Sequence, residues 1–232
     1  MPSTSSNTLN ISSAGLVKFD GIATFSGVTT TAHDVLLGAA SNGITNLSAV
    51  TTDRILRSGG ASADSAWTTN FKVNSSGIMT NSSQPSFFAY KSGNSTNVTG
   101  DGTVYKVPCN TKVYDQATNY STSTSTFTAP VAGRYLFYGL VHSNNVSSGH
   151  TNALIQIVAT SYTATLWNMN MYAIRVGGAS QNAEFSGTCI INMAANDTAI
   201  LQWTVTGGTK TLTAVGGALN GYPCAFAGVL LC

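Results

Sequence analysis

Three histidines, His33, His142 and His150, one glutamate, Glu184, seven aspartates and four cysteines are the residues of this chain that could hold a metal or move a proton. The histidines lack H-E-x-x-H or comparable ligand spacing. Cys109, Cys189, Cys224 and Cys232 lie far apart, without the C-x-x-C pairs of a zinc site. Glycoside hydrolysis needs two carboxyl groups flanking one bond. With a single glutamate, the second would have to come from aspartates scattered among loops, and Asp115 and Asp197 read as a strand end and a turn. No set of nucleophile, base and orienting group emerges, so the chain is expected to be no enzyme and to require no cofactor. Cys189 and Cys224 sit inside apolar strands, where a free cysteine acts as a small hydrophobe. Disulfides stay open, including one between chains at Cys232.

Composition narrows the partners. Hydrophobic residues make up 43% of the 232 residues and charged residues only 8%, against about 25% charged in ordinary soluble domains. Ser, Thr, Asn and Gly dominate the remainder, so the surface is hydroxyl and amide. A net charge of +2 is too small and too scattered for nucleic acid, and no basic cluster suits an anionic membrane. The apolar runs are strand-sized, far short of the roughly 20 residues of a membrane span. The start, MPSTSSNTLNISSAG, has neither the basic residues nor the apolar core of a secretory signal. The chain is therefore expected to be made in the cytoplasm and to insert in no membrane. Nine Asn-x-Ser/Thr sequons, at Asn10, Asn46, Asn74, Asn81, Asn94, Asn97, Asn119, Asn145 and Asn196, follow largely from the composition.

The elements that carry these residues are strands. From residue 84 onward, short apolar runs alternate with turn signals, as in an all-β sandwich. Strands are predicted at residues 85–91, 104–114, 124–128, 133–142, 152–159, 165–176, 183–193, 198–206 and 223–231. No amphipathic run with helix caps is present. Successive strand side chains point to opposite faces. Residues 133–141 thus put Tyr135, Phe137 and Val141 on one face and Leu136, Tyr138 and Leu140 on the other, so both faces call for burial. The last strand repeats the pattern, with Cys224, Phe226, Gly228 and Leu230 opposite Ala225, Ala227, Val229 and Leu231. In contrast, Gln202 and Thr204 face away from Leu201, Trp203 and Val205, as on a solvated sheet. Some strands therefore face a core on one side and a partner subunit on the other.

Residues 1–80 differ in texture. Their short apolar pieces cannot offset backbone ordering costs of about 1–2 kcal/mol per residue, so the segment is expected to be disordered or to wind around identical copies. HDVLLGAASNGITNLSAV and DRILRSGGASADSAW look like degenerate repeats. The second resembles a module of phage tail-fibre and related fibre proteins, with a recurring Val-Leu-x-Ser-x-Gly-Ala-x-Ala-Asp-Pro-x-Trp pattern. Ser65 stands where that pattern has proline. The resemblance covers residues 33–67 and implies a trimeric shaft or connector.

Residues 84–232 resemble the globular head of complement and collagen-like proteins, the ten-strand jelly roll shared with the tumour-necrosis-factor superfamily. The resemblance rests on PSFFAY, on KVPCNTKVYD with NYSTSTSTFTAPVAGRYLFYG, on FSGTCIINMAANDTAILQW and on YPCAFAGVLL. Asp197, Phe226 and Gly228 keep the pattern, Cys224 and Ala227 replace its serines, and Cys109 stands where phenylalanine is common. It implies a TNF-like homotrimer in which Phe127, Tyr135, Phe137, Tyr138, Phe226 and Gly228 belong to the core or the trimer interface. Some relatives of this fold bind calcium near the trimer axis or apex. Asp101 offers one carboxylate, without the cluster of oxygen ligands that calcium takes, and metal binding is left open.

The jelly-roll path would gather residues 143–151, 177–181 and 207–222 at the end away from the termini, where loops on a rigid sandwich carry recognition. Asn144, Asn145, His150, Gln181, Lys210, Asn220 and Tyr222 are the candidate receptor contacts, with amide, hydroxyl and aromatic groups suited to glycans. The expectation is a homotrimeric, phage-like virion fibre. Its N-terminus would join a particle attachment protein, and its head would bind a host cell-surface glycan or protein. The alternatives are a structural decoration or connector protein with the head as trimerisation clamp, and a secreted adhesin or lectin of the complement-head type.

Overall fold

The computed structural model describes residues 35–38, 44–48, 53–59, 65–171, 181–218 and 221–231, and the chain divides into two units, Met1–Met79 and Thr80–Cys232. In the first, β1 (Val35–Gly38) and β2 (Ile44–Leu47) pair antiparallel, as do β3 (Arg54–Arg57) and β4 (Ala66–Val73). Each of the two repeat-like pieces therefore supplies one antiparallel pair. The Trp67 indole donates to the Ser48 carbonyl at 3.0 Å, and β5 (Met79–Asn81) follows at the boundary of the units. The predicted shaft residues before Val35 lie outside the described residues.

The second unit is built from β6 (Ser86–Tyr90), β7 (Val104–Lys106), β8 (Thr111–Gln116), β9 (Tyr120–Ser121), β10 (Thr126–Thr128), β11 (Gly133–Val146), β12 (Asn152–Ala159), β13 (Thr163–Asn170), β14 (Gln181–Met193), β15 (Thr198–Thr206), β16 (Thr213–Ala214) and β17 (Cys224–Leu230). One sheet runs β14-β11-β17-β6-β8, with β16 also on β11. The other runs β13-β12-β15-β10-β9, with β7 also on β15. Every pairing in them is antiparallel. Five principal strands face five, with sequence neighbours repeatedly placed in opposite sheets.

Period-two alternation explains the packing. Tyr135, Phe137 and Val141 of β11 are fully buried between the sheets, facing the equally buried Ile155, Ile157, Leu201, Trp203 and Val205. Phe87, Phe127, Phe137 and Phe226 form an aromatic chain, with ring centroids 5.0 Å apart for Phe87–Phe127 and Phe87–Phe226 and 5.7 Å for Phe137–Phe226. Gly228 permits it: a Cβ there would lie 2.7 Å from both the Phe87 and Phe137 rings. On β11 and β14 the register partners Gly139 and Gly187 leave a notch filled by Leu166, which bulges from β13.

Several predicted boundaries change. Residues 104–114 are two strands in opposite sheets, because Val107 still bonds to the Leu201 carbonyl whereas Pro108 has no N–H to continue the ladder. β11 runs on past His142 to Val146, since β16 and the start of β14 both pair with its extension. The predicted strand at 165–176 begins earlier, at Thr163, and its residues 172–176 lie outside the described residues.

Candidate functional site

The loop segment between β11 and β12 is organised from within by His150, which is wholly buried. The Ser147 backbone N–H donates to its Nδ1 at 3.0 Å, and its Nε2 lies 3.2 Å from the Thr209 carbonyl oxygen. A backbone N–H can only donate and a carbonyl can only accept, so the ring carries its proton on Nε2. Gly100 and Gly208 press on the ring: a Cβ on either would lie within 2.8 Å of it. Gly208 N–H donates to the Gly100 carbonyl at 2.9 Å. Thr99, also buried, accepts from Val205 N–H at 2.9 Å and donates to the Thr103 carbonyl at 2.6 Å. His150 was expected to be a surface contact for a receptor. It is instead the strut that ties residues 147–151, 207–211 and 99–102 together, because its two ring nitrogens satisfy backbone groups of different loops.

The other predicted contacts divide. Lys210 and Asn145 are exposed, and the Asn145 amide donates to Thr213 Oγ1 at 3.2 Å. Asn144 is half-buried, with an Oδ1 that no donor among the described residues reaches. Gln181 is half-buried and in register with Val146. Asn220 lies outside the described residues. Tyr222 does not join the loops around His150. At φ +60° its ring packs against Tyr90 at 4.7 Å and Phe88 at 5.4 Å, on the outward face of β6. Asp101, whose carboxylate accepts from the Thr103 N–H at 2.9 Å, is held below the usual carboxylate range by its hydrogen bonds to Thr103, with Lys210 adding a smaller pull.

The outward face of the β14-β11-β17-β6-β8 sheet is the second feature. Phe127, Tyr135, Phe137, Phe226 and Gly228 are buried, but Tyr138 points outward and is half-buried beside Leu136, Ala227 and Val229. Ile190 is 59% exposed and Tyr114 52%. At one end of this face, His142 and Glu184 are register partners, with Nδ1 3.7 Å from Oε2. They border a cleft of about 400 Å³ whose other walls are Asn94, Val215, Gly216, Gly217, Ala218, Gly221 and Pro223. Beside its Gly216–Gly217 wall, Lys91 is only 4% exposed, and its ammonium donates to the Gly93 carbonyl. Burial lowers its pKa, with the nearby Cys224 and Cys109 thiols opposing.

Sequence reading missed both the Thr99–Gly100 half of the strut and the His142–Glu184 pair. The only local signals were the closely spaced Gly100 and Gly102 and the outward phase of His142 and Glu184 on their strands. Among the described residues no group of three or more His, Cys, Asp or Glu could hold a metal ion, and Cys109, Cys189 and Cys224 are free thiols.

Five strands facing five in this order decide the architecture. The head is a ten-strand jelly roll. It is similar to the globular domain of zebrafish complement 1qA protein, at 17% identity over 64% of this chain and 98% of that one, with a TM-score of 0.40. It is also similar to murine APRIL, at 11% identity over 64% and 99% with a TM-score of 0.42. A third similar structure is the Eiger TNF of S. frugiperda, at 13% identity over 64% and 93% with a TM-score of 0.43. No protein-family model and no curated protein matches the sequence.

Proposed function

We propose that this protein is a homotrimeric fibre protein of a phage-like particle, attached through its N-terminal segment, whose jelly-roll head meets a host cell-surface saccharide or protein. The observation that carries the reading is the difference between the two outer faces of the head. On the β13-β12-β15 side, Leu154, Val158 and Ile200 are interleaved with an amide and hydroxyl ladder in which Asn152 donates to Asn168 at 3.0 Å and Gln156 to Thr165 at 3.4 Å. That is a surface water can cover. On the β11-β17 side, Leu136, Tyr138, Ala227, Val229 and Ile190 form an apolar strip, bordered by Ser186 and Thr188 of β14, of which Ser186 hydrogen-bonds the Tyr138 side chain. Exposed apolar area of this kind marks an interface. The likeness to complement-type heads supports two further copies of the same chain as its cover, and three heads on one shaft would turn weak contacts into avidity. The repeat-like pieces before residue 80 support the shaft.

The test is a light-scattering mass near three times the 24.0 kDa chain, followed by glycan-array and cell-adsorption measurements on the intact trimer. A monomer would sink the fibre reading. A trimer that recognises neither array nor cells would leave a decoration protein.

A further inference from the structure

We propose that the cleft beside His142 and Glu184 is a subsite for a neutral sugar ring, a proposal that rests on the reading of the head as a recognition module. About 400 Å³ lies within the usual range of small-molecule clefts, about 300–1,000 Å³. Its walls are held before any ligand arrives. Val215 N–H donates to the His142 carbonyl at 3.0 Å, Gly217 N–H to the Lys91 carbonyl at 2.8 Å, and His142 N–H to the Pro223 carbonyl at 2.8 Å. Asn94 Oδ1 accepts from Gly216 N–H at 2.9 Å, and Gly216 cannot carry a side chain, because its Cβ would lie 2.2 Å from the Gly93 oxygen. Gly217 and Gly221, at φ +120° and +87°, face open space where a side chain would otherwise intrude. The wall therefore presents bare main chain.

The chemistry selects the ligand class. Glu184 is a two-oxygen acceptor and the His142 imidazole supplies one donor and one acceptor nitrogen when neutral. Placed 3.7 Å apart, they match two neighbouring ring hydroxyls. Among the described residues lining the cleft none is a lysine or arginine, and a carboxylate in such a wall disfavours phosphates and acidic sugars. Among the described lining residues none is aromatic, so a flat base or indole finds no stacking partner there. His142 lies one outward step beyond Leu140 on β11, at the end of the apolar strip, so copies seated on that strip would leave the cleft at their rim.

Saturation-transfer NMR on the full-length protein tests this. The probes are the methyl pyranosides of glucose, galactose and mannose, N-acetylglucosamine, N-acetylneuraminic acid, and ethanolamine as a simple amine. At least one neutral sugar is expected to bind, about tenfold more weakly to Glu184→Gln, the loss of one charge-assisted hydrogen bond. Binding should vanish in Ala218→Trp, which fills the cleft from an exposed position, with both variants unfolding at the wild-type temperature. The proposal is overturned if no neutral sugar binds, if Ala218→Trp binds as wild type does, or if only N-acetylneuraminic acid or ethanolamine binds. Cell adsorption separates the two readings. Wild type and Ala218→Trp adsorbing equally would discard the cleft and keep the recognition module, whereas wild type adsorbing to nothing would discard the module itself.

Discussion

Cys224 is wholly buried and its thiol lies 3.6 Å from the His142 carbonyl it donates to. Burial, the larger effect, pushes it from the ordinary 9.0 to about 11, and desolvation alone does the same to the half-buried Cys189. Cys109 and Tyr120 are pushed further in the same direction. An acid whose folded pKa is raised binds its proton more tightly in the native state, so the unfolded chain ionises first as pH rises. The Cys189 and Cys224 thiols therefore cost nothing well below pH 9.0 and subtract stability progressively between 9.0 and about 11. Thermal unfolding under reducing conditions should give a melting temperature that the thiols leave unchanged up to about pH 8.5 and that falls above 9. The double variant Cys189→Ala, Cys224→Ala should flatten the first part of the fall, before the tyrosines titrate. A double variant with the wild-type slope would show that these two thiols are not what the alkaline limb reports.

At the scale of elements, strict alternation made β12 and β15 legible to the residue, because each has one face in the core and one outside. β7 and β8 were read as one strand, since an apolar run that changes sheets keeps its alternation and only Pro108 marks the crossing. His150 was placed at the surface for its polarity. Its burial depends on Thr209, 59 positions away, and on Gly100, and no local pattern encodes such closure. His142 and Glu184 were both in view, but their pairing is a matter of register between β11 and β14. The strut makes its own prediction. His150→Phe keeps a ring of similar size but leaves the Ser147 N–H unpaired, a cost of about 1–3 kcal/mol, while the Thr209 carbonyl loses the ring and still accepts from the Thr211 N–H at 2.8 Å. Hydrogen exchange should quicken selectively at residues 147–151, 207–211 and 99–102 while β11 and β15 keep their protection. Uniform loss across the head would mean that the ring is merely part of the core.

For the whole molecule, the question is whether the apolar strip holds copies together or itself meets a target. Leu136→Glu with Tyr138→Glu places two charges on the outward face of β11, where water can solvate them in a single head but not beneath a second one. The core residues Tyr135 and Phe137 lie on the opposite face, so the head should still unfold cooperatively. If the strip is the subunit interface, the variant's mass should fall from near three times 24.0 kDa to one. Cell adsorption should then fall about 10²–10⁴-fold with the loss of avidity, although every loop and the His142–Glu184 cleft are unaltered. Fusing an unrelated trimerisation clamp to the variant should restore adsorption, because the heads again act in threes. Adsorption that stays lost in the clamped trimer would make the strip the target surface. Adsorption that survives replacement of residues 84–232 by the clamp would make the head a trimerising cap and place recognition elsewhere on the particle.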